Sequence, residues 1–408
     1  MSILFKIAWR NLWRNPRRSW VLISSIAVGI LGYFGTTSFS RGFLEQMVET
    51  TINLQGGHIV ISAKGYQENP QIRLFIRNPE VIEEELAHFE GLHFAPLISF
   101  QGMISSSETA GGVVINGVDP AREPQITTVA KSIVAGRYVD GENGNHEIVL
   151  GAALAKKLNV ELGEKVVLMM SDLQNDISSA AYRIVGLFRT ASPGFDKTFV
   201  YLKQAQAQEL AGYGEGITSF TLRLGSAFEL EEQVEAIKRA LNNDGLEVLT
   251  WKDRNPLLVL AIQAYDYSLA IVVGILFVAI AFSIANSFLM VIYERINELG
   301  IMMANGVLPK NIRRMLYAEA LFINLLGTGM GFVVSAVILG YLGHNGLDLS
   351  DFAEGLGQFG VGAIVYPKVA AADIIVGLVV INSVVMLSVL YPAIKASRFQ
   401  VVDAIRFV

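Results

Sequence analysis

The chain has 408 residues, is 52% hydrophobic and only 17% charged, and carries a net charge of −5 at neutral pH. Soluble chains carry about 25% charged residues, so the composition points to a membrane protein, and the acidic balance argues against a nucleic-acid partner. The lack of cysteine excludes a disulfide framework, a thiol nucleophile and a thiolate metal site, and the five histidines (His58, His88, His93, His146, His344) show no ligand spacing.

Residues 1–19 predict an amphipathic helix. Lys6, Arg10, Arg14 and Arg17 share one face, and Phe5, Ala8, Trp9 and Leu12 another. This pattern suits a helix lying on an anionic inner leaflet, broken at Asn15-Pro16. An apolar first span follows over 20–40, preceded by too long a segment for a cleaved signal peptide. Along it Ser25, Gly29, Gly32 and Thr36 recur at helical spacing, a small-residue stripe that lets another helix approach closely, within the subunit or across a dimer. The helical stripe continues past the span through Leu44, Met47, Thr51 and Leu54 and stops at Gly56-Gly57.

Residues 41–266 form a large domain carrying 19 basic and 29 acidic residues. Within 56–110 and 213–252 two strand–helix–strand patterns recur: GHIVISA, PEVIEEELAHF and LHFAPLISFQG, then SFTLRL, FELEEQVEAIKRALNN and LEVLTW. They predict one α/β subdomain split around a mainly β insertion at 111–212. No G-x-S-x-G, H-E-x-x-H or phosphate-binding G-x-x-x-x-G-K-[ST] occurs, so no intrinsic catalysis and no nucleotide hydrolysis by this chain are expected.

Asn255-Pro256 suits a helix start, and no breaker follows before the end of the second span at 267–293. Helices of this length exceed a bilayer core of about 30 Å, so spans one and two are expected to rise as a stalk. A loop at 294–318, a third span at 319–341 containing Gly327 and Gly331, a loop at 342–373, a fourth span at 374–394 and a tail at 395–408 complete the chain. Basic residues cluster in the N-terminal segment, the 294–318 loop and the tail, which predicts those parts cytoplasmic and the 41–266 domain periplasmic. The expected fold is therefore an α-helical membrane protein with four transmembrane helices and a large α/β (α+β) periplasmic domain inserted between helices 1 and 2.

Within the 294–318 loop, Glu294 to Met315 reads ERINELGIMMANGVLPKNIRRM. Its residues Glu294-Arg295, Glu298-Leu299-Gly300-Ile301 and Ala304-Asn305-Gly306 resemble the "ER…E(I/L)G…A(L/M)G" loop of FtsX-like permeases, the type VII ABC transporter subunits that include the LolC/LolE pair, MacB and FtsX. AWRNLWRNPRRS, VVINGVDP, IVAGRYV, IVLGAALAKKLNVELGEKVVL and YPAIKASRFQVVDAIR resemble further family segments in order. Met302-Met303 and Asn305 depart from the family's usual residues there.

The resemblance implies that this loop seats on a separate cytoplasmic ATPase, with Glu294, Arg295, Ile296, Glu298, Leu299, Gly300, Met302, Met303 and Gly306 as coupling residues. Ile296, Leu299 and Met303 share one apolar face, expected to be the knob that enters the ATPase groove. The chain would bind no cofactor, ATP and magnesium being used by the partner. MacB carries its ATPase fused ahead of the permease and FtsX has a smaller external domain, so the layout is similar to the lipoprotein-releasing branch. That implies a bacterial inner-membrane protein with a second permease copy or sister, a lipoprotein cargo, a periplasmic carrier and membrane lipids as partners. Phe39, Phe43, Met47 and Tyr265 are expected near a lipid or cargo mouth. Export of peptides or amphiphiles in the manner of MacB, and signalling to a cell-wall hydrolase in the manner of FtsX, stay open as alternatives.

Overall fold

A computed structural model of the chain describes residues 3–139, 146–225 and 230–398. The tail beyond Arg398, with the last eight residues of the YPAIKASRFQVVDAIR segment, and the expected helix start at Phe228 lie outside the described residues. The chain forms two compact units. One holds residues up to Leu44, Ile262–Asp348 and the chain from Ile364; the other holds Glu45–Ala261 and Leu349–Ala363.

The chain opens with helices α1 (Ile3–Arg14) and α2 (Pro16–Leu54), separated at Asn15. Strand β1 (Ile59–Ala63), helix α3 (Pro79–Ala87), and strands β2 (His93–Ser105) and β3 (Ala110–Val118) follow. Next come α4 (Glu123–Ile126), β4 (Ile133–Gly136), β5 (Glu147–Gly151), α5 (Ala152–Leu158), β6 (Lys165–Ser171) and β7 (Ile177–Phe188). Then α6 (Pro193–Asp196), β8 (Phe199–Lys203), α7 (Gln204–Ala211), β9 (Ser219–Arg223), α8 (Glu231–Leu241), β10 (Leu246–Thr250) and α9 (Trp251–Arg254) complete the β-rich part. The chain continues through α10 (Pro256–Glu294), α11 (Ile296–Ala304), α12 (Pro309–Asn345), β11 (Leu347–Asp348), α13 (Ala353–Gln358), β12 (Ile364–Val365), α14 (Ala371–Ser388) and α15 (Leu390–Ala396).

Among the described residues four apolar helices, α2, α10, α12 and the α14–α15 pair, are long and apolar enough to cross a membrane. Helices α2 and α10 have 39 residues each, about 58 Å at 1.5 Å per residue. Helix α2 ends where the glycine pair was expected to stop it: Gly57 N–H donates to the Ile52 carbonyl, and Gly56 and Gly57 take φ of 91° and 77°, a conformation that favours glycine at helix ends.

In the β-rich unit, the two recurring strand–helix–strand patterns pair into one antiparallel sheet in the order β10-β1-β9-β2. This is the split β-α-β arrangement of ferredoxin-like sheets, with α3 beside α8. Their inner faces are set by spacing: Ile82 and Leu86 on α3, Val234 and Ile237 on α8 are buried. Acids at the start of α8 and bases at its end complement its dipole. The sheet does not stop at the insertion. The long β2–β3 hairpin carries it on through β8, β5, β7 and β4, while β6 joins β2 to β7. β5 is buried along its whole length, as an interior strand with a parallel neighbour requires.

His58, at the entry to β1, is buried, and its Nδ1 accepts the Leu224 N–H at 2.8 Å. Burial, reinforced by Arg223, pushes its pKa down to about 4, whereas an unfolded histidine titrates near 6.5. Between these values the unfolded chain binds more protons. The stability of a neutral His58 is therefore full above about pH 6.5 and is lost as pH falls toward 4, by about 2–3 kcal/mol. Hydrogen exchange of peptides covering 57–62 and 219–224 should speed up over that window in the wild type. His58→Asn, which keeps an acceptor but cannot titrate, should flatten the response.

Candidate functional site

The residues singled out by the loop motif fall on α11 and its two ends, within the helical unit. Helix α10 ends at Glu294. Arg295 breaks the helical path with φ −112° and ψ 17°, and α11 begins at Ile296. Helix α11 closes at Asn305-Gly306, where Gly306 takes φ 86° and its N–H donates to the Met303 carbonyl. Pro309 then starts α12, as suits a first-turn proline.

The apolar stripe is present but turned the other way from the expected knob. Ile296, Leu299 (1% exposed) and Gly300 are buried, and Ile296 aside, the stripe joins a core with Leu12, Ile312, Met315 and Ala393. Met302 and Met303 are half-buried against the same core. The cause is competition for the stripe: the core formed by the chain's own helices takes up the most apolar face of α11. Beside the ion-paired Glu298, α11 leaves exposed Asn297, Ile301 (54% exposed), Ala304 and Asn305, followed by Leu308. Asn297, Ile301, Ala304 and Asn305 follow i, i+4, i+7 and i+8, a single helical face, and Leu308 lies beyond the Gly306 break.

Charge fastens α11 in place. Arg295 (8% exposed) donates through Nε to Glu298 at 3.1 Å and through a guanidinium NH₂ to buried Glu319 of α12 at 3.2 Å. Glu298 also accepts from Arg14 of α1 at 2.6 Å, and Arg18 pairs with Glu294. Burial pushes the Glu298 carboxyl up, but hydrogen bonds from Arg14 and Arg295 outweigh it and hold the group below its ordinary value. The same bond to Glu298 raises the Arg14 pKa. Helix α1 packs beside α12, with Ala8 and Leu12 buried and Trp9 edge-on to Phe322 at 5.2 Å. Only part of its apolar face is thus taken up by protein: Phe5, Trp9 and Trp13 stay 39–49% exposed, and the basic face is exposed as well.

The small residues pack helices of this chain against one another. A Cβ on Gly327 would meet Ile26 at 2.8 Å, and one on Gly331 the Ala27 backbone at 2.9 Å, so both glycines sit at an α2–α12 crossing. A Cβ on Gly29 would meet Ile280 of α10 at 2.5 Å, and one on Gly32 Leu276 at 3.4 Å. Ser25 and Thr36 turn their hydroxyls onto the Val21 and Gly32 carbonyls of their own helix. Of the predicted mouth residues, Phe39, Phe43 and Tyr265 form an aromatic ladder with centroids 6.5 and 6.1 Å apart, and Ser40 Oγ lies 3.2 Å from the Tyr265 hydroxyl. Met47 belongs to the other unit and is buried there.

Sequence reading missed Glu319, which looked like the edge of a span, and the amide pair in which Asn324 donates to Asn382 at 2.7 Å between α12 and α14. A charge or amide inside an apolar helix is itself the signal. It also missed a cavity of about 210 Å³ in the β-rich unit with a mixed lining, Glu123, Asn116, Tyr201 and Arg254 beside Leu97, Val118 and Phe199. Burial raises the Glu123 pKa against hydrogen bonds from Thr127 and Tyr138. Burial also lowers that of Arg254 to about 10.

Residues 19–240, more than half of the chain, match the family described as MacB-like periplasmic core domain, and residues 270–401 match FtsX-like permease C-terminal. The chain is 23% identical over 402 residues to the lipoprotein-releasing system transmembrane protein LolC of Neisseria meningitidis serogroup B, covering 95% of this chain and 93% of that one. It is 21% identical over 430 residues to the lipoprotein-releasing system transmembrane protein LolE of Haemophilus influenzae, covering 98% of each. To the macrolide export ATP-binding/permease protein MacB of Bdellovibrio bacteriovorus it is 20% identical, over 98% of this chain and 61% of that one. The motif on α11, four apolar helices and two consecutive family matches agree: the chain belongs to the FtsX-like permeases of ABC transporters and carries a MacB-like periplasmic core domain.

Proposed function

We propose that this chain couples ATP hydrolysis by a separate cytoplasmic ATPase to the extraction of acylated lipoproteins from the bacterial inner membrane. The observation that carries the reading is α11, a short helix between two apolar helices, fastened by ion pairs and presenting one exposed face at Asn297, Ile301, Ala304 and Asn305, with exposed Leu308 just beyond it. That face, rather than Leu299, seats on the ATPase, which uses ATP and magnesium. The basic residues around α1 and α11 put both on the cytoplasmic side by charge bias, with the MacB-like domain in the periplasm and the ends of α2 and α10 as its stalk. Similarity to LolC and LolE along nearly their full lengths supports lipoprotein as cargo and a second permease as partner.

Extraction needs an energy source because each buried CH₂ of an acyl chain holds its lipid in the membrane by about 0.8 kcal/mol. The Phe39–Phe43–Tyr265 ladder offers an apolar lining where such chains would begin to leave the bilayer. Export of an amphiphile is the second reading, favoured by the similarity to MacB across 98% of this chain.

The test is reconstitution in liposomes with the ATPase, any sister permease and acylated lipoprotein. Soluble lipoprotein appearing only with ATP and a carrier is the expected result. Hydrolysis without release would move the weight to export, and no stimulated hydrolysis with any candidate ATPase would sink the coupling reading.

A further inference from the structure

We infer that Arg295 is a positioning residue that binds the coupling helix α11, the third apolar helix α12 and the N-terminal helix α1 into one moving body. The inference rests on the reading of α11 as the ATPase seat and adds where its displacement goes.

Arg295 occupies the one interruption between α10 and α11, where the helical hydrogen-bond path changes direction. A backbone break there leaves α11 free to swivel on α10 unless side chains hold it. Arg295 supplies the hold in two directions at once. Its Nε reaches Glu298, one turn along α11, at 3.1 Å, and its NH₂ reaches both carboxylate oxygens of Glu319 on α12 at 3.4 and 3.2 Å. The planar guanidinium fixes these two directions relative to each other, which a lysine cannot do. Glu298 passes the connection on, because it also takes both hydrogen bonds from Arg14 at the end of α1. The chain of contacts therefore runs α1–Arg14–Glu298–Arg295–Glu319–α12.

The inner half of this chain differs from the outer. Arg295 and Glu319 are both buried, where breaking one partner strands the other charge away from water. Arg14 and Glu298 are half-exposed, so that link is weaker and screened by salt. A push on the exposed face of α11 is thus delivered first to α12, whose glycines meet α2, and second to α1.

The chain has no cysteine, which makes the connection testable by cross-linking. In the reconstituted complex, Glu319→Gln should still bind the ATPase in a pull-down, because the exposed face of α11 is untouched. Lipoprotein released per ATP hydrolysed should fall at least tenfold. The exposed pair Arg14→Cys/Glu298→Cys leaves the core intact and serves should the buried variant fold poorly. It should lower the same ratio about threefold, and a short bis-maleimide joining the two cysteines should restore it. Restoration is a readout that a merely structural role would not give. Inhibition by the cross-link would mean that α1 and α11 must separate during the cycle, and the inference would fall, as it would if Glu319→Gln kept the wild-type ratio. Wild-type chain that neither binds nor stimulates an ATPase would instead overturn the functional reading beneath it.

Discussion

Gly331→Leu is expected to leave little folded protein, whereas Gly329→Leu, two residues away on the same helix, is expected to be tolerated. At Gly331 an added Cβ would lie 2.9 Å from the Ala27 Cα, 3.0 Å from its carbonyl oxygen and 2.9 Å from the Ile30 Cβ. Two of these neighbours are backbone, so no rotamer change relieves the clash and α2 must move off α12. Overpacking a tight site costs about 1–3 kcal/mol for a small excess. A leucine at a helix crossing adds four carbons, and the expected loss is above about 4 kcal/mol, a large share of a domain's stability. A Cβ on Gly329 would meet nothing within 4 Å. Fluorescence-detected size exclusion of the two variants, before and after a heating series, separates the outcomes. Equal recovery of both would mean that the glycines serve a contact between subunits rather than this crossing.

Leu299→Asp and Ile301→Asp should fail in different ways. Leu299 is sealed in the helical unit's core, and a carboxylate there either stays charged in an apolar site or draws a proton to avoid it. The expected result is a poorly folded chain, destabilised by about 4 kcal/mol or more. Ile301 projects from the opposite face and is more than half exposed. Its replacement should change folding by no more than about 0.5 kcal/mol, while a charge at the centre of the ATPase seat should weaken binding by about 2 kcal/mol, roughly thirtyfold. Thermal stability and ATPase pull-down measured on both variants check this. A fully folded Leu299→Asp that loses the ATPase would restore the stripe as the docking knob.

The two experiments bear on what could be read before the fold was seen. The break at Asn15-Pro16, the helix start at Pro256 and the stop at Gly56-Gly57 are chemical statements about single positions, and they hold. The strand–helix–strand repeat was legible because strand and helix periods differ, and its strands do pair in one sheet. The continuity of that sheet into β3 and β8 was not legible, because pairing between distant strands leaves no local mark.

Composition, charge-free runs, break residues and the ER–ELG–ANG motif therefore determined, from sequence alone, that this chain has four apolar helices, a mixed α/β domain and a permease family. Each of those depends on residues within a few positions of one another. The tertiary structure decided which way a stripe faces and whom a charge meets. Ile296, Leu299 and Met303 form the same stripe whether it faces an ATPase or is buried within the chain, and periodicity gives the stripe without its partner. Arg14 and Glu298 stand 284 residues apart. Their pairing, like that of Arg295 with Glu319, exists only because helix packing brings separate segments within hydrogen-bond reach.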